Sequence, residues 1–280
     1  MKTSSKFTFF GFVLCLLWGT SVRAITPEEW AEKIVTAQSR NLPMPALGAT
    51  ERDATDSLAY RVQKIVVEKK VASGDKVIGH KAGLTSRVAQ DKFGVIEPVA
   101  GELLQSHKKK TATFVSMRQF KAMVVEMEIG FELKLSIREV PESIEELKDK
   151  VRQVMPVVEL PNIHFTPDNR ITGSDIIASN VAAATVIVGR GKPWAGLDLN
   201  EVKAELTRDN EVVAEGKGSD VMGDQWQALM WLVEQRLSQG LEVKRNDLLI
   251  TGAMGQVIAG ERGRYVADFG PLGRVTFTMR

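Results

Sequence analysis

The sequence predicts an α+β protein with N-terminal helices ahead of a mainly β core. Three observations predict it. Helix-period apolar patterning dominates the first third, short apolar bursts bounded by turn residues follow from residue 77 onward, and only two helical patterns interrupt those bursts. Regular βαβ alternation is missing, so a largely antiparallel sheet or β-roll is expected rather than a doubly wound one.

Thr26-Pro27-Glu28-Glu29 reads as an N-cap, a first-turn proline and helix-favouring acids, with Trp30, Ile34, Val35 and Ala37 as the apolar face. Pro43, Pro45 and Gly48 mark a loop. A second helix is expected from about Asp53 to Ala72 on Leu58, Val62, Ile65 and Val66, ended by Gly74. Strands are expected at Val77-Ile78, Phe114-Val115, Val124 to Leu133, Met155 to Leu160 and Val186-Ile187-Val188. The helical interruptions fall at Pro141 to Val154, opened by Ser143-x-x-Glu146, and at Asp224 to Gln239, closed by Gly240. Leu248-Leu249-Ile250, Tyr265-Val266-Ala267 and Val275-Thr276-Phe277 complete the strands. Lys108-Lys109-Lys110 reads as a solvated turn.

The chain has 280 residues, 44% hydrophobic and 26% charged, the balance of a globular protein. A net charge of +2 gives no field for nucleic acid, so no nucleic-acid partner is expected. Lys2 and Lys6 precede an apolar run from Phe7 to Trp18 and the small-residue exit Val22-Arg23-Ala24, the pattern of a secretory leader over 1–24. Cleavage after Ala24 would leave one domain over 25–280, helical over 25–75 and mainly β over 76–280, in the periplasm or secreted. A lipid anchor on Cys15 is the rival reading, but Cys15 sits inside the apolar run rather than at its end; no stable membrane anchor is expected. The leader also carries the chain's single cysteine, so thiolate chemistry and disulfides are excluded from the mature protein.

Glu126 and Glu128 interrupt the apolar run Val124 to Phe131 two residues apart, which puts both on one face of a strand. On a wet face, with Val125, Met127 and Ile129 turned inward, they need no further account. On a buried face two like charges conflict unless a cation lies between them. Glu159 intrudes likewise into Pro156 to Leu160. Three carboxylates without a thiol suit Mg2+ or Mn2+ better than zinc. His80, His107 and His164 have no ligand spacing.

Lys81 is bracketed by Gly79 and Gly83 after a short strand. A glycine turn with an exposed lysine is one reading; a loop holding an ammonium beside a metal-bound anion is the other.

The run Gly79-His80-Lys81-Ala82-Gly83-Leu84-Thr85-Ser86, the acids Glu126-x-Glu128 and Glu159, and Asp175-Ile176-Ile177-Ala178-Ser179-Asn180 resemble the 2-keto-4-pentenoate hydratases of the fumarylacetoacetate hydrolase superfamily. Ala59-Tyr60-x-Val62-Gln63, Gly94-Val95-x-x-Pro98-x-x-Gly101, Trp231-Leu232 and Leu249-Ile250-Thr251-Gly252 extend the likeness from about residue 55 to the C-terminus. The resemblance implies a β-roll core with N-terminal helices, a divalent metal (Mg2+ or Mn2+) on Glu126, Glu128 and Glu159, and a homo-oligomer. It implies action on a small 2-oxo or 2-hydroxy acid, with Lys81 catalytic and Lys81, Gly83, Leu84, Thr251 and Gly252 around the substrate.

The chain departs from the family pattern at three places. Pro98-Val99-Ala100-Gly101 stands where Pro-Asp-Phe-Gly is common, Ala178-Ser179-Asn180-Val181-Ala182 where Ala-Asp-Asn-Ala-Ser is common, and Asn162 where an acid is expected. The expected reaction is hydration of a 2-hydroxy-dienoate such as 2-keto-4-pentenoate in its enol form. Decarboxylation or C–C cleavage of a 2-oxo acid is the alternative, as is a homologue that only binds a carboxylate.

Overall fold

A computed structural model of the chain describes residues 25–50, 55–167 and 170–280. The expected leader and the expected helix start at Asp53 lie outside the described residues. The helices are α1 (Pro27–Ser39), α2 (Leu47–Thr50), α3 (Asp56–Ala72), α4 (Arg87–Phe93), α5 (Ile144–Lys150), α6 (Gly173–Ala178) and α7 (Gln225–Ser238). The strands are β1 (Val77–Gly83), β2 (Val99–Leu104), β3 (Lys108–Lys110), β4 (Thr113–Val115), β5 (Val124–Leu133), β6 (Val151–Leu160), β7 (Thr185–Val188), β8 (Lys203–Arg208), β9 (Glu211–Lys217), β10 (Leu248–Ile250), β11 (Ile258–Ala259), β12 (Gly263–Asp268) and β13 (Arg274–Met279).

One sheet runs in the order β2-β1-β10-β5-β6-β7-β3, with β11 attached to β5, and the other in the order β4-β13-β12-β8-β9. Most ladders are antiparallel; β1 with β10, β3 with β7 and β4 with β13 are parallel. The α1 start is a capping box, in which Thr26 accepts from the Glu29 amide and Glu29 from the Thr26 amide. Trp30 and Ile34 of α1 pack with Val62 and Val66 of α3 and with Ile176 and Ile177 of α6. The main core joins both sheets to α7: Met127 and Phe131 of β5, Tyr265 and Phe277 of the second sheet, and Leu229 and Leu232 of the helix belong to one buried cluster.

Several expectations are corrected. The helix expected over Pro141 to Val154 is only α5; Ser143 caps it as read, but Val151 to Val154 are already strand, because Val151 and Val154 pair with Leu133 and Phe131 of β5. Lys108 to Lys110 form β3, paired with β7, rather than a turn. The glycine-bracketed lysine sits inside strand β1, not on a turn. β2, α4, α6 and the β8–β9 hairpin were not anticipated.

Candidate metal centre

Strand pleating decides which side chains meet. Glu126 lies directly opposite Glu159 across the β5–β6 ladder, and Glu128, two residues along, shares their face. One carboxylate oxygen from each lies within 4.8 Å of the others. Glu128 and Glu159 are buried and Glu126 is half-buried. The wet-face reading of Glu126 and Glu128 therefore fails. Val125, Met127 and Ile129 are buried as well, so the strand is covered on both sides.

Lys81 comes from β1, and its register row is Lys81, Ile250 of β10 and Gly130 of β5. Three strand steps separate β1 from β6, about 14 Å in a flat sheet. The Lys81 Nζ nevertheless donates to Glu159 Oε1 at 2.7 Å and lies 2.5 Å from Oε2. The sheet must curl to close that gap, placing lysine and acids on its inner face. Leu103, Met155, Val157, Val186, Leu248 and Ile250 form a small apolar cluster on that face. At 2% exposure Lys81 is fully inside, which removes the exposed-lysine reading.

The remaining predicted residues frame this group. The Gly252 amide donates to Glu128 Oε2 at 2.6 Å, from a backbone with φ of +109°, a conformation that favours glycine. The Thr251 hydroxyl is committed to Gln225 Oε1 at 2.7 Å, so Thr251 anchors the Gly252 turn through the N-terminus of α7. A Cβ on Gly83 would stand 2.6 Å from Val181 Cγ1, so only glycine fits there without a shift. Leu84 adopts a left-handed φ of 53° and packs beside the helical subcore.

One contributor was missed from sequence. Asn180, Val181 and Ala182 are three successive left-handed residues without a glycine, with φ of 63°, 51° and 52°. Their turn delivers the Val181 carbonyl to Lys81 Nζ at 3.1 Å. Asn180 holds the turn against β2, accepting from the Glu102 amide at 2.7 Å and donating to its carbonyl at 2.9 Å. Asn180 was part of the family likeness, but no spacing rule announces such a turn. Asn162, at the position of a missing acid, accepts from the Ala122 amide at 3.1 Å. Val99 is buried opposite Gly83.

Burial raises the Glu126 carboxyl to about 7; Lys81 opposes the rise and Glu159 adds to it. Burial, then Glu159 and Glu126, push Glu128 well above the usual carboxylate range. Burial alone would lower Lys81, but Glu159, Glu126 and Glu128 outweigh it and hold the ammonium above its ordinary value. Fully ionised, three carboxylates and one ammonium carry two negative charges in excess, the charge of one divalent ion. Glu128 Oε1 is buried with no hydrogen-bond partner among the described residues. The donor set therefore fits a hard dication, and no histidine joins it. A cavity of about 770 Å³ is lined by His107, Asn162, His164, Ala182 and Thr185 among others, but not by Lys81 or the three acids.

No family model matches the chain. It is 29% identical over 238 residues to the 2-keto-4-pentenoate hydratase of Paraburkholderia xenovorans, covering 84% of this chain and 88% of that one. Its structure superposes on 4-oxalocrotonate decarboxylase from Pseudomonas putida G7, complexed with magnesium and adipate, with a TM-score of 0.86 at 21% identity over 91% of this chain and 97% of that one. Fumarylpyruvate hydrolase from Pseudomonas aeruginosa, in complex with Mn2+ and pyruvate, follows at a TM-score of 0.54 and 14% identity, over 71% and 88%. The curled-sheet α+β fold with N-terminal helices is thus the fold of these solved structures. In sequence the chain is similar to the 2-keto-4-pentenoate hydratases.

Proposed function

We propose that the protein is a metal-dependent hydratase of a small 2-hydroxy-dienoate or 2-oxo acid such as 2-keto-4-pentenoate. The observation that carries this reading is the convergence of Glu126, Glu128 and Glu159 with buried Lys81 on the inner face of the curled sheet. The three acids hold Mg2+ or Mn2+, which when bound supplies Lewis-acid stabilisation of negative charge developing on the 2-oxo oxygen. The raised Lys81 ammonium, tied to Glu159 and the Val181 carbonyl, orients the substrate carboxylate or carries a proton to the reacting carbon. Gly83, Leu84, Thr251 and Gly252 shape the pocket around it, Gly252 by fixing Glu128. The likeness to a named hydratase over 84% of the chain supports hydration in particular.

The test is Glu126→Gln with Glu128→Gln, read by bound metal in elemental analysis and by loss of dienoate absorbance. Loss of both metal and turnover is expected; unchanged metal content removes the site. Decarboxylation or C–C cleavage of a 2-oxo acid is the alternative reaction, and Val99 in place of an acid beside Gly83 favours carboxylate binding without turnover. Product analysis separates these.

We also propose that residues 1–24 are a leader removed on export to the periplasm or beyond, supported by Lys2, Lys6 and the apolar run before Ala24. N-terminal sequencing should then start at Ile25. Among the described residues no helix is long and apolar enough to cross a membrane. A homo-oligomer is proposed on the exposed apolar side chains Val88 and Ile96, and light scattering tests it.

A further inference from the structure

Residues next to Lys81 face the other way. Strand alternation turns His80, and its β2 neighbour Glu102, to the outer side of the sheet, where α7 packs. A cavity of about 340 Å³ lies there, with Tyr60, Arg61, Lys64, Glu102, Arg236 and Gln239 among its lining residues.

Arg236 is the member that needs explaining. Its side chain is 1% exposed, and its one carboxylate neighbour, Glu102 Oε1, stands 3.9 Å from Nη2, beyond hydrogen-bond range. Its Nε and Nη1 have no hydrogen-bond partner among the described residues, and neither has Gln239 Nε2 in the same wall. The Tyr60 hydroxyl accepts from the Ala100 amide at 3.0 Å and from Gln235 Nε2 at 3.4 Å, which leaves its own proton to give. At the rim Arg61 and Lys64 are exposed; among the described residues Lys64 reaches only the surface carboxylate of Glu68, at 4.0 Å.

A buried guanidinium is retained when its charge and donors are met. Here the buried groups without a partner are all donors, and among the described residues three cations line the cavity against the single carboxylate of Glu102. Such a lining selects an anion, and a forked guanidinium selects an oxyanion with two acceptor oxygens. We propose that this cavity binds a small molecule through a phosphate or carboxylate group, held by Arg236 with Tyr60 and Gln239 and drawn in by Arg61 and Lys64. The site is separate from the metal centre, on the opposite face of the same sheet.

The experiment is calorimetric titration of the full magnesium-loaded protein with inorganic phosphate and, separately, with succinate. Each titration is repeated in Arg61→Ala/Lys64→Ala, whose exposed positions leave folding intact, and in Glu126→Gln/Glu128→Gln, where any oxyanion held through the metal centre is lost. Saturable binding of at least one probe is expected, unchanged within about twofold in the glutamine pair and weakened at least about tenfold in the alanine pair. The tighter probe assigns phosphate or carboxylate. Absence of saturable binding to either probe, or affinity lost in the glutamine pair and kept in the alanine pair, overturns the proposal.

Discussion

Glu128→Gln separates two effects that the metal centre combines. Glutamine keeps the shape of the side chain, and its amide oxygen can still accept the 2.6 Å bond from the Gly252 amide, so the main change is one lost charge. Carboxylate oxygens within 4.8 Å of one another repel by about 3.5 kcal/mol per pair at an effective dielectric constant of about 20. Glu128 has two such neighbours, Glu126 and Glu159, against one attraction from Lys81. Proton uptake by the raised carboxyls caps the strain, so the metal-free variant should be more stable than wild type by about 1–3 kcal/mol at pH 8. Because the folded-state values lie above the ordinary carboxylate range, that advantage grows as pH rises through it and fades near pH 4. Metal acts in the other direction: an ion at a hundredfold over its dissociation constant adds about 2.7 kcal/mol to wild type, a rise in melting temperature of about 5–10 °C for a chain of this size. Thermal unfolding followed by circular dichroism, in EDTA and in excess Mn2+, measures both. The variant should melt above wild type in EDTA and show no shift with Mn2+. A variant that melts lower in EDTA, or keeps the full Mn2+ shift, refutes the reasoning.

Lys81→Ala leaves Glu159 without its ion-pair partner, which for a buried pair costs about 3–5 kcal/mol in the metal-free protein. Bound metal should persist while dienoate turnover falls at least about a hundredfold, and wild-type kinetics would retire the assigned role. Asn180→Ala removes two bonds to the Glu102 backbone and should cost about 2–3 kcal/mol in denaturant unfolding, with reduced turnover because the Val181 carbonyl no longer steadies Lys81. His80 is held neutral by burial, reinforced by Arg236 and Lys244, at about 3, so the stability it contributes is present above its ordinary value of 6.5 and is lost as pH falls. Between pH 7 and pH 5 wild type should lose about 2 kcal/mol that His80→Gln does not. Asp247, 3.7 Å from His80 and raised to about 6 mainly by burial, opposes this trend, and together with Arg236, Glu102, Lys244 and Glu242 it is common to both proteins. Parallel pH profiles for the two would contradict the neutral buried histidine.

The carboxylates were legible because acids inside an apolar strand are costly, and a period of two fixed Glu126 and Glu128 to one face. Glu159 was suspected because it intrudes likewise into an apolar strand, but its arrival opposite Glu126 is a matter of register between strands some thirty residues apart, which no local pattern records. Helix α5 shows the converse. Its cap at Ser143 is a local signal and held, whereas Val151 to Val154 were claimed by pairing with β5, which no local pattern records. The glycines around Lys81 suggested a turn, yet they serve close approach. A Cβ on Gly79 would collide with the Leu248 backbone, and Gly83 faces Val181. Asp209 and Asn210, both at positive φ, join β8 to β9 as a tight hairpin, a turn signal that was present in the sequence. The left-handed run at Asn180 to Ala182 carries no such mark, because its cost is met by tertiary bonds to Glu102, Lys81 and Asn162.

Diffraction from crystals grown with Mn2+, recorded at the manganese absorption edge, tests the metal assignment most directly. One anomalous peak per chain, touching a carboxylate oxygen of Glu126, Glu128 and Glu159 at once, is the predicted result. A peak elsewhere, or none at that position in the presence of saturating Mn2+, would contradict it.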